Sequence, residues 1–159
     1  MLTPETARRI TAEVTRAQAT GRAPSLIAGI VRDGVPVHVA AAGEHPAPEP
    51  DTQYRIGSIT KTMTAVLVLQ LRDEGRLGLD DPLAGHLPGV DAVGGVTIRQ
   101  LLGHAAGLQR EPDGQWWERA PGPDPDTLLA GLHPGKRAHP PYRVHHYSNR
   151  AYGLLGTAC

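Results

Sequence analysis

The sequence predicts a mixed α/β (α+β) chain, in which one helix and one β-hairpin precede a mostly helical region. Three observations predict this class: an amphipathic repeat near the N-terminus, an Asp-Gly pair between two apolar runs, and a long apolar stretch after residue 58. Aromatic residues make up only 4% of the chain and phenylalanine is absent. The core must therefore be built from aliphatic side chains, and 159 residues suit one domain.

The N-terminal segment predicts a helix over residues 3–21. Thr3 can cap it, Pro4 suits its first turn and Gly21 can end it. Four apolar side chains are spaced for one buried face: Ala7, Ile10, Val14 and Ala17.

A β-hairpin is predicted next. The runs 25–31 and 35–42 flank Asp33-Gly34, a dipeptide that favours a two-residue hairpin turn. A loop rich in proline and alanine follows, over residues 43–51. We assign residues 1–57 to this N-terminal helix and first hairpin.

The region 58–159 is predicted to be mostly helical. A helix over about 58–74 ends at Gly75, and its apolar side chains are expected to face inward: Met63, Val66, Leu67 and Leu71. Thr97 with Gln100 forms a capping-box pattern for a short helix ending near residue 103.

Residues 109–141 form a long proline-rich loop in this prediction, because they hold seven of the 15 prolines. One short helix is expected within it, near 126–132. Loops of this length are often functional. The Trp116-Trp117 pair in the loop could line an acyl pocket or anchor the loop, and the sequence favours neither.

Ser58 and Lys61 carry the strongest chemical signal. Three residues apart at a helix start, they lie on the same face, which suits a serine nucleophile that needs a neighbour to take its proton. The chain has only three serines and two lysines, so such a pair is expected by chance about 0.04 times. Nearly all other basic residues are arginine, which cannot lose its proton in a protein.

A second signal is Tyr147-Ser148-Asn149. Asn149 is the only asparagine and there are four tyrosines, so a tyrosine two residues before it has a chance of about 0.025. The two patterns are independent. Their coincidence favours a catalytic site over a surface lysine and an unrelated turn.

The histidines near this motif are only weak evidence for a metal site. His145 and His146 adjoin Tyr147, but neighbours on an extended segment point to opposite faces, and no H-E-x-x-H or cysteine pair accompanies them. We therefore predict no metal. His104 is expected to support packing near a cleft, not to act as a base.

These residues carry a family resemblance. The segments 54–65, 71–82, 96–108 and 146–156 resemble successive parts of serine hydrolases of the beta-lactamase-related superfamily, of the class C beta-lactamase, esterase and D-alanyl-D-alanine carboxypeptidase type. The likeness runs from about residue 26 to residue 159. It implies a beta-lactamase/transpeptidase-like fold, with an antiparallel sheet packed by helices plus a helical subdomain.

The resemblance also implies roles for four residues. Ser58 would be the acylated nucleophile, Lys61 would help to deprotonate it, and Tyr147 would be the partner base that returns the proton to the leaving group. Asn149 would bind the substrate or orient Lys61. The substrate would be a small ester, beta-lactam or D-amino peptide, and no cofactor is implied.

A third family motif, lysine or histidine followed by a small residue and glycine on a later strand, does not occur after Tyr147. We therefore expect the chain to be the N-terminal part of such a domain, truncated after the second motif. The alternative function is a non-catalytic fragment or binding module. An incomplete sheet would also invite self-association.

Charge and cysteine content exclude several partner classes. The formal net charge is zero, so no nucleic acid or anionic membrane partner is expected. The sole cysteine, Cys159, allows no internal disulfide. The N-terminus lacks the basic start and apolar run of a signal peptide, and no run suits a membrane span. A cytoplasmic location is the expectation, with export as the alternative if a leader segment is missing from this sequence.

Overall fold

The computed structural model describes residues 2–44, 47–114 and 121–159. The chain divides into two compact units, Met1–Arg55 and Ile56–Cys159. The Trp116-Trp117 pair lies outside the described residues.

Among its described residues, the first unit contains one helix and two strands: α1 (Pro4–Thr20), β1 (Ser25–Arg32) and β2 (Val35–Gly43). Thr3 caps α1, because its hydroxyl accepts a hydrogen bond from the Thr6 N–H at 3.2 Å. The predicted helix and hairpin are confirmed in type and in position.

The two strands pair antiparallel, with Ser25 opposite Gly43. Asp33 and Gly34 both have positive φ, at 52° and 76°. Two positive φ values define the hairpin turn whose twist matches the strands, so the Asp-Gly prediction is confirmed.

The core of the first unit is small. Val14, Ala40 and Ala42 are its buried members. The predicted inner face of α1 is wrong at Ala17, which is exposed. The residues of α1 that pack against this small core are Ile10 and Val14.

In the part of the second unit that the structure describes there are four α-helices: α2 (Thr60–Asp73), α3 (Ile98–Leu102), α4 (Pro125–Ala130) and α5 (Asn149–Ala158). The capping box at α3 is confirmed. Thr97 Oγ1 accepts from the Gln100 N–H at 3.2 Å, and Gln100 Oε1 accepts from the Thr97 N–H at 2.9 Å.

An aliphatic core joins these helices, as the lack of phenylalanine requires. Its fully buried members are drawn from α2, α3, α5 and the connections between them, and include Val68, Leu83, Leu101, Leu154 and Leu155.

The predicted inner face of α2 is wrong at three positions. Met63, Val66 and Leu67 are 60%, 50% and 44% exposed, whereas Val68 and Leu71 are 0% and 7% exposed. Apolar residues surround more than half of this helix, so their spacing does not select one face. Packing against α5 selects the side that carries Val68 and Leu71.

An extended segment after α3 holds the chain that leads into α5. The His104 carbonyl accepts from the His146 N–H at 2.8 Å, and the Gly107 carbonyl accepts from the Ala138 and His139 N–H groups. Gly107 has φ 69°, and a Cβ there would lie 1.9 Å from the His139 carbonyl oxygen. Glycine is therefore required where these two segments meet.

Candidate active site

Ser58 lies in a 3-10 turn, Gly57–Ile59, that leads directly into α2. The preceding Gly57 has φ 55°, a value that favours glycine. The turn and the helix bring Lys61 back over the serine, so that Lys61 Nζ donates to Ser58 Oγ at 3.3 Å. Ser58 itself is exposed, so its hydroxyl is accessible from solvent.

Tyr147 comes from the other end of the second unit, 89 residues further along the chain. Its hydroxyl lies 2.6 Å from Ser58 Oγ. Lys61 Nζ lies 5.0 Å from the centre of the Tyr147 ring and 5.7 Å from that of Tyr152. Lys61 therefore lies between two aromatic rings and beside the Ser58 and Tyr147 hydroxyl groups.

Asn149 is the first residue of α5. Its side-chain oxygen Oδ1 accepts from Lys61 Nζ at 2.5 Å. Of the four site residues that the sequence predicts, all four are thus brought together: Ser58, Lys61, Tyr147 and Asn149.

The N-terminus of α5 is held in place by Ser148, which is 1% exposed. Its Oγ accepts from the Ala151 N–H at 3.0 Å as the N-cap, and donates to the Gln109 carbonyl at 2.8 Å. Because Ser148 stands between Tyr147 and Asn149 in the chain, this cap positions both.

The electrostatic surroundings lower the pKa of the Tyr147 hydroxyl. Burial raises this pKa, but the nearby Lys61 ammonium, the Ser58 hydroxyl and the charge of Arg110 together lower it by more. The Arg110 guanidinium carbon lies 5.4 Å from the centre of the Tyr147 ring. A phenolate at this position is therefore easier to form than in free tyrosine, which makes Tyr147 available as a proton acceptor nearer to neutral pH.

His104 supports the site through the backbone, in agreement with the sequence prediction. Its Nδ1 accepts from the Ser148 N–H at 3.1 Å, so its remaining proton is on Nε2. Burial lowers the pKa of His104, and the charges of His145 and Lys61 lower it further. The His104 ring packs 4.6 Å from that of Tyr147, between ring centres.

The other histidines near the motif make ring contacts: His145 lies 5.5 Å from His104 between ring centres. His139 and His146 are 5.0 Å apart between ring centres. Within residues 2–44, 47–114 and 121–159, no three histidine, cysteine, aspartate or glutamate side chains are placed to hold a metal ion.

Sequence reasoning missed Glu111 and Arg110. Both oxygens of Glu111 accept from Asn149 Nδ2, at 2.8 and 2.9 Å. These residues lie in the proline-rich loop and match no local pattern. Their nearness to Asn149 results from tertiary folding alone.

The arrangement places an exposed hydroxyl in contact with a phenol and an ammonium group, which are the kinds of group that activation of a hydroxyl nucleophile requires. A family model described as beta-lactamase matches residues 10–159. The chain therefore belongs to the beta-lactamase family, and its fold is the beta-lactamase/transpeptidase-like fold.

Several known proteins resemble this chain. Protein flp of Staphylococcus aureus strain COL is 30% identical over 114 residues, which is 67% of this chain and 22% of that protein. The crystal structure of a D-stereospecific amidohydrolase from Streptomyces sp. is 30% identical, with a TM-score of 0.75 over 94% of this chain and 48% of that one.

A crystal structure of a class C beta-lactamase from Rhodobacter sphaeroides is 26% identical, with a TM-score of 0.72 over 93% of this chain and 42% of that one. The chain spans about a fifth of the curated relative's length and less than half of each of these two structures. Both solved structures are of hydrolases by name.

None of the helices in the described part of this chain has the length and hydropathy that a membrane span requires.

Proposed function

We propose that this chain carries the acyl-transfer centre of a serine hydrolase, which acts on a small ester, beta-lactam or D-amino peptide or amide. The observation that carries the proposal is the contact between Ser58 Oγ and the Tyr147 hydroxyl at 2.6 Å, with Lys61 Nζ 3.3 Å from the same oxygen. A weakly acidic serine becomes a nucleophile when a base stands this close.

The reaction then follows from the positions of the protons. Tyr147 in its phenolate form takes the Ser58 proton while Oγ bonds to the substrate carbonyl carbon. The tetrahedral adduct collapses, the bond to the leaving amine or alkoxide breaks, and the Tyr147 hydroxyl returns the proton to that group. Water then attacks the carbonyl carbon of the ester on Ser58 while Tyr147 takes a proton from it. The bond from that carbon to Ser58 Oγ breaks, Tyr147 returns the proton to Oγ, and the acid is released.

Lys61 stabilises the phenolate form of Tyr147 and orients the Ser58 hydroxyl. Asn149 Oδ1 holds the ammonium in that position at 2.5 Å. The backbone N–H of Ser58 is at the start of a helical segment, where the first N–H groups lack partners within the helix. It would donate to the oxygen of the tetrahedral adduct.

The substrate class rests on the relatives' names and on the chemistry of the centre. A class C beta-lactamase and a D-stereospecific amidohydrolase are among the similar structures, and an acyl-enzyme pathway accommodates lactam, amide and ester carbonyls alike. The pathway requires no cofactor or metal, since the nucleophile, base and cation are all side chains.

Covalent labelling of the folded chain tests the proposal. A fluorophosphonate and a fluorescent penicillin should each form a covalent adduct of one probe molecule per chain, seen as a mass increase. Peptide mapping should place the adduct on Ser58. Ser58→Ala should abolish the adduct. The matched control Ser25→Ala, which removes another serine hydroxyl that contacts a tyrosine (Tyr54, 2.9 Å), should leave the adduct intact.

Tyr147→Phe is the test of the base. We expect its labelling rate to fall by about 100-fold or more, the usual contribution of a positioned base, while Tyr142→Phe at an exposed position changes little. The wild-type rate should rise with pH and reach its plateau below the pKa of free tyrosine, because the Tyr147 pKa is lowered. A chain that is folded by circular dichroism and takes up neither probe would contradict the proposal and favour a non-catalytic binding module.

A further inference from the structure

Glu111 contacts the Asn149 side chain and is connected through it to Lys61. Its carboxylate accepts from Asn149 Nδ2 with both oxygens, at 2.8 and 2.9 Å. The other end of the same amide, Asn149 Oδ1, accepts from Lys61 Nζ at 2.5 Å. The three residues thus form a line of carboxylate, amide and ammonium.

These hydrogen bonds favour one orientation of the Asn149 side-chain amide. If the amide turned over, Nδ2 would face the Lys61 ammonium, a donor against a donor, and Oδ1 would face the Glu111 carboxylate, an acceptor against an acceptor. Hydrogen bonds to charged groups are the stronger ones. The carboxylate therefore makes the orientation that presents an acceptor to Lys61 strongly preferred.

The position of Glu111 is built into the fold. The Arg110 carbonyl accepts from the Asn149 N–H at 2.8 Å and from the Arg150 N–H at 3.4 Å, and the Gln109 carbonyl accepts from Ser148 Oγ at 2.8 Å. The loop that carries Glu111 is thus fastened to the first residues of α5, which carry Asn149.

A second set of contacts fastens the far side of the loop. Asp113 pairs with Lys136 and lies 3.6 Å from Arg150 Nη2. Arg150 is 2% exposed, and its Nη1 donates to the Gly131 carbonyl at 2.7 Å. These contacts hold Asp113, two residues after Glu111, beside the buried arginine of α5.

We propose that Glu111 is a positioning residue of this centre. Its carboxylate holds the Asn149 amide so that Oδ1 faces Lys61, and thereby keeps the ammonium beside Ser58 and Tyr147. The inference rests on the proposed function for its catalytic meaning. The arrangement itself can be tested without catalysis.

The test uses the fact that Asn149 is the only asparagine. In a chain labelled with 15N-asparagine, a single side-chain NH2 pair appears in the NMR spectrum. We expect its hydrogens to exchange with water about tenfold faster, or more, in Glu111→Ala than in the wild type, because hydrogen bonds to a charged acceptor are lost. Glu111→Gln keeps one acceptor oxygen and should lie between the two.

The control is Glu74→Ala, which removes a carboxylate on the surface of the same unit that is paired with Arg76. It should leave the Asn149 signals unchanged. If Glu111→Ala and Glu111→Gln both leave the shifts and exchange rates of this NH2 pair as in the wild type, the proposal is overturned. Should Glu111→Ala fail to fold, the glutamine variant decides by the same criterion.

A separate NMR measurement tests whether the effect of Glu111 reaches Lys61. A chain labelled at lysine Nζ shows two ammonium groups, Lys61 and Lys136, and Lys136→Arg identifies the first. The Lys61 signal should move in Glu111→Ala and stay fixed in Glu74→Ala. An unmoved Lys61 signal would overturn the positioning role.

The labelling rate of Ser58 separates this inference from the proposed function. If the wild type is labelled, Glu111→Ala should slow labelling at least about tenfold relative to Glu74→Ala. If the wild type is not labelled, the proposed function fails while the Asn149 and Lys61 signals still decide the role of Glu111.

Discussion

Ser148→Ala is the substitution whose cost the structure specifies most completely. The Ser148 hydroxyl makes two hydrogen bonds from a 1% exposed position: it accepts from the Ala151 N–H as the cap of α5, and it donates to the Gln109 carbonyl. Loss of an N-cap costs about 1 kcal/mol. A carbonyl left without its donor costs about 1–2 kcal/mol more.

We therefore expect Ser148→Ala to lower the free energy of unfolding by about 2–3 kcal/mol. Urea titration followed by far-ultraviolet circular dichroism measures this loss, with the slope of the transition unchanged. Because Ser148 stands between Tyr147 and Asn149, labelling of Ser58 should also slow at temperatures where the variant remains folded.

The matched control is Asp124→Ala. Asp124 caps α4 through the Thr127 N–H at 2.7 Å, in an exposed position, so this variant loses a cap without leaving a partly buried carbonyl unpaired. Its loss of stability should be clearly smaller. If the two variants lose the same stability, the bond from Ser148 to the Gln109 carbonyl contributes nothing and the reasoning is refuted.

Three further predictions concern the surrounding structure. Gly107→Ala should destabilise the second unit by about 2 kcal/mol or more, because Gly107 has a positive φ and a Cβ there would lie 1.9 Å from the His139 carbonyl oxygen. The control Gly156→Ala, in an open helical position, should stabilise the unit slightly. Urea titration compares the two variants, and equal effects would contradict the close approach at Gly107. Burial and then neighbouring charges lower the pKa of His104 from its usual value of 6.5, so the folded state should lose stability as pH falls below about 6.5. His104→Gln should remove this loss in urea titrations made at successive pH values below about 6.5, and an unchanged pH dependence would contradict it. Among the described residues, β1 and β2 form a two-stranded sheet with unpaired edges, so the chain should self-associate as its concentration rises, and Val31→Lys should reduce this self-association. Light scattering after gel filtration measures the mass of the species present, and a monomer at every concentration would contradict the prediction.

The local elements were predictable because their signals are local. An Asp-Gly pair with two positive φ values, a threonine cap and a capping box each depend on residues within four positions of one another. The sequence therefore predicted α1, the hairpin and the start of α3 correctly.

The buried side of α2 was not predictable in the same way. Met63, Val66 and Leu67 are as apolar as Val68 and Leu71, and the choice between the two sides depends on α5, which lies far along the chain. The side that α5 packs against is the side that is buried.

The four candidate site residues were predictable from the amino-acid sequence, because serine, lysine and asparagine are so rare here that their spacing is informative. Ser58, Lys61, Tyr147 and Asn149 could all be named from it. How Asn149 is held depends instead on the folded chain, since Glu111 is joined to it through a loop without a local pattern. Hydrogen bonds between residues 38 positions apart depend on the path of the whole chain, and no spacing records that path.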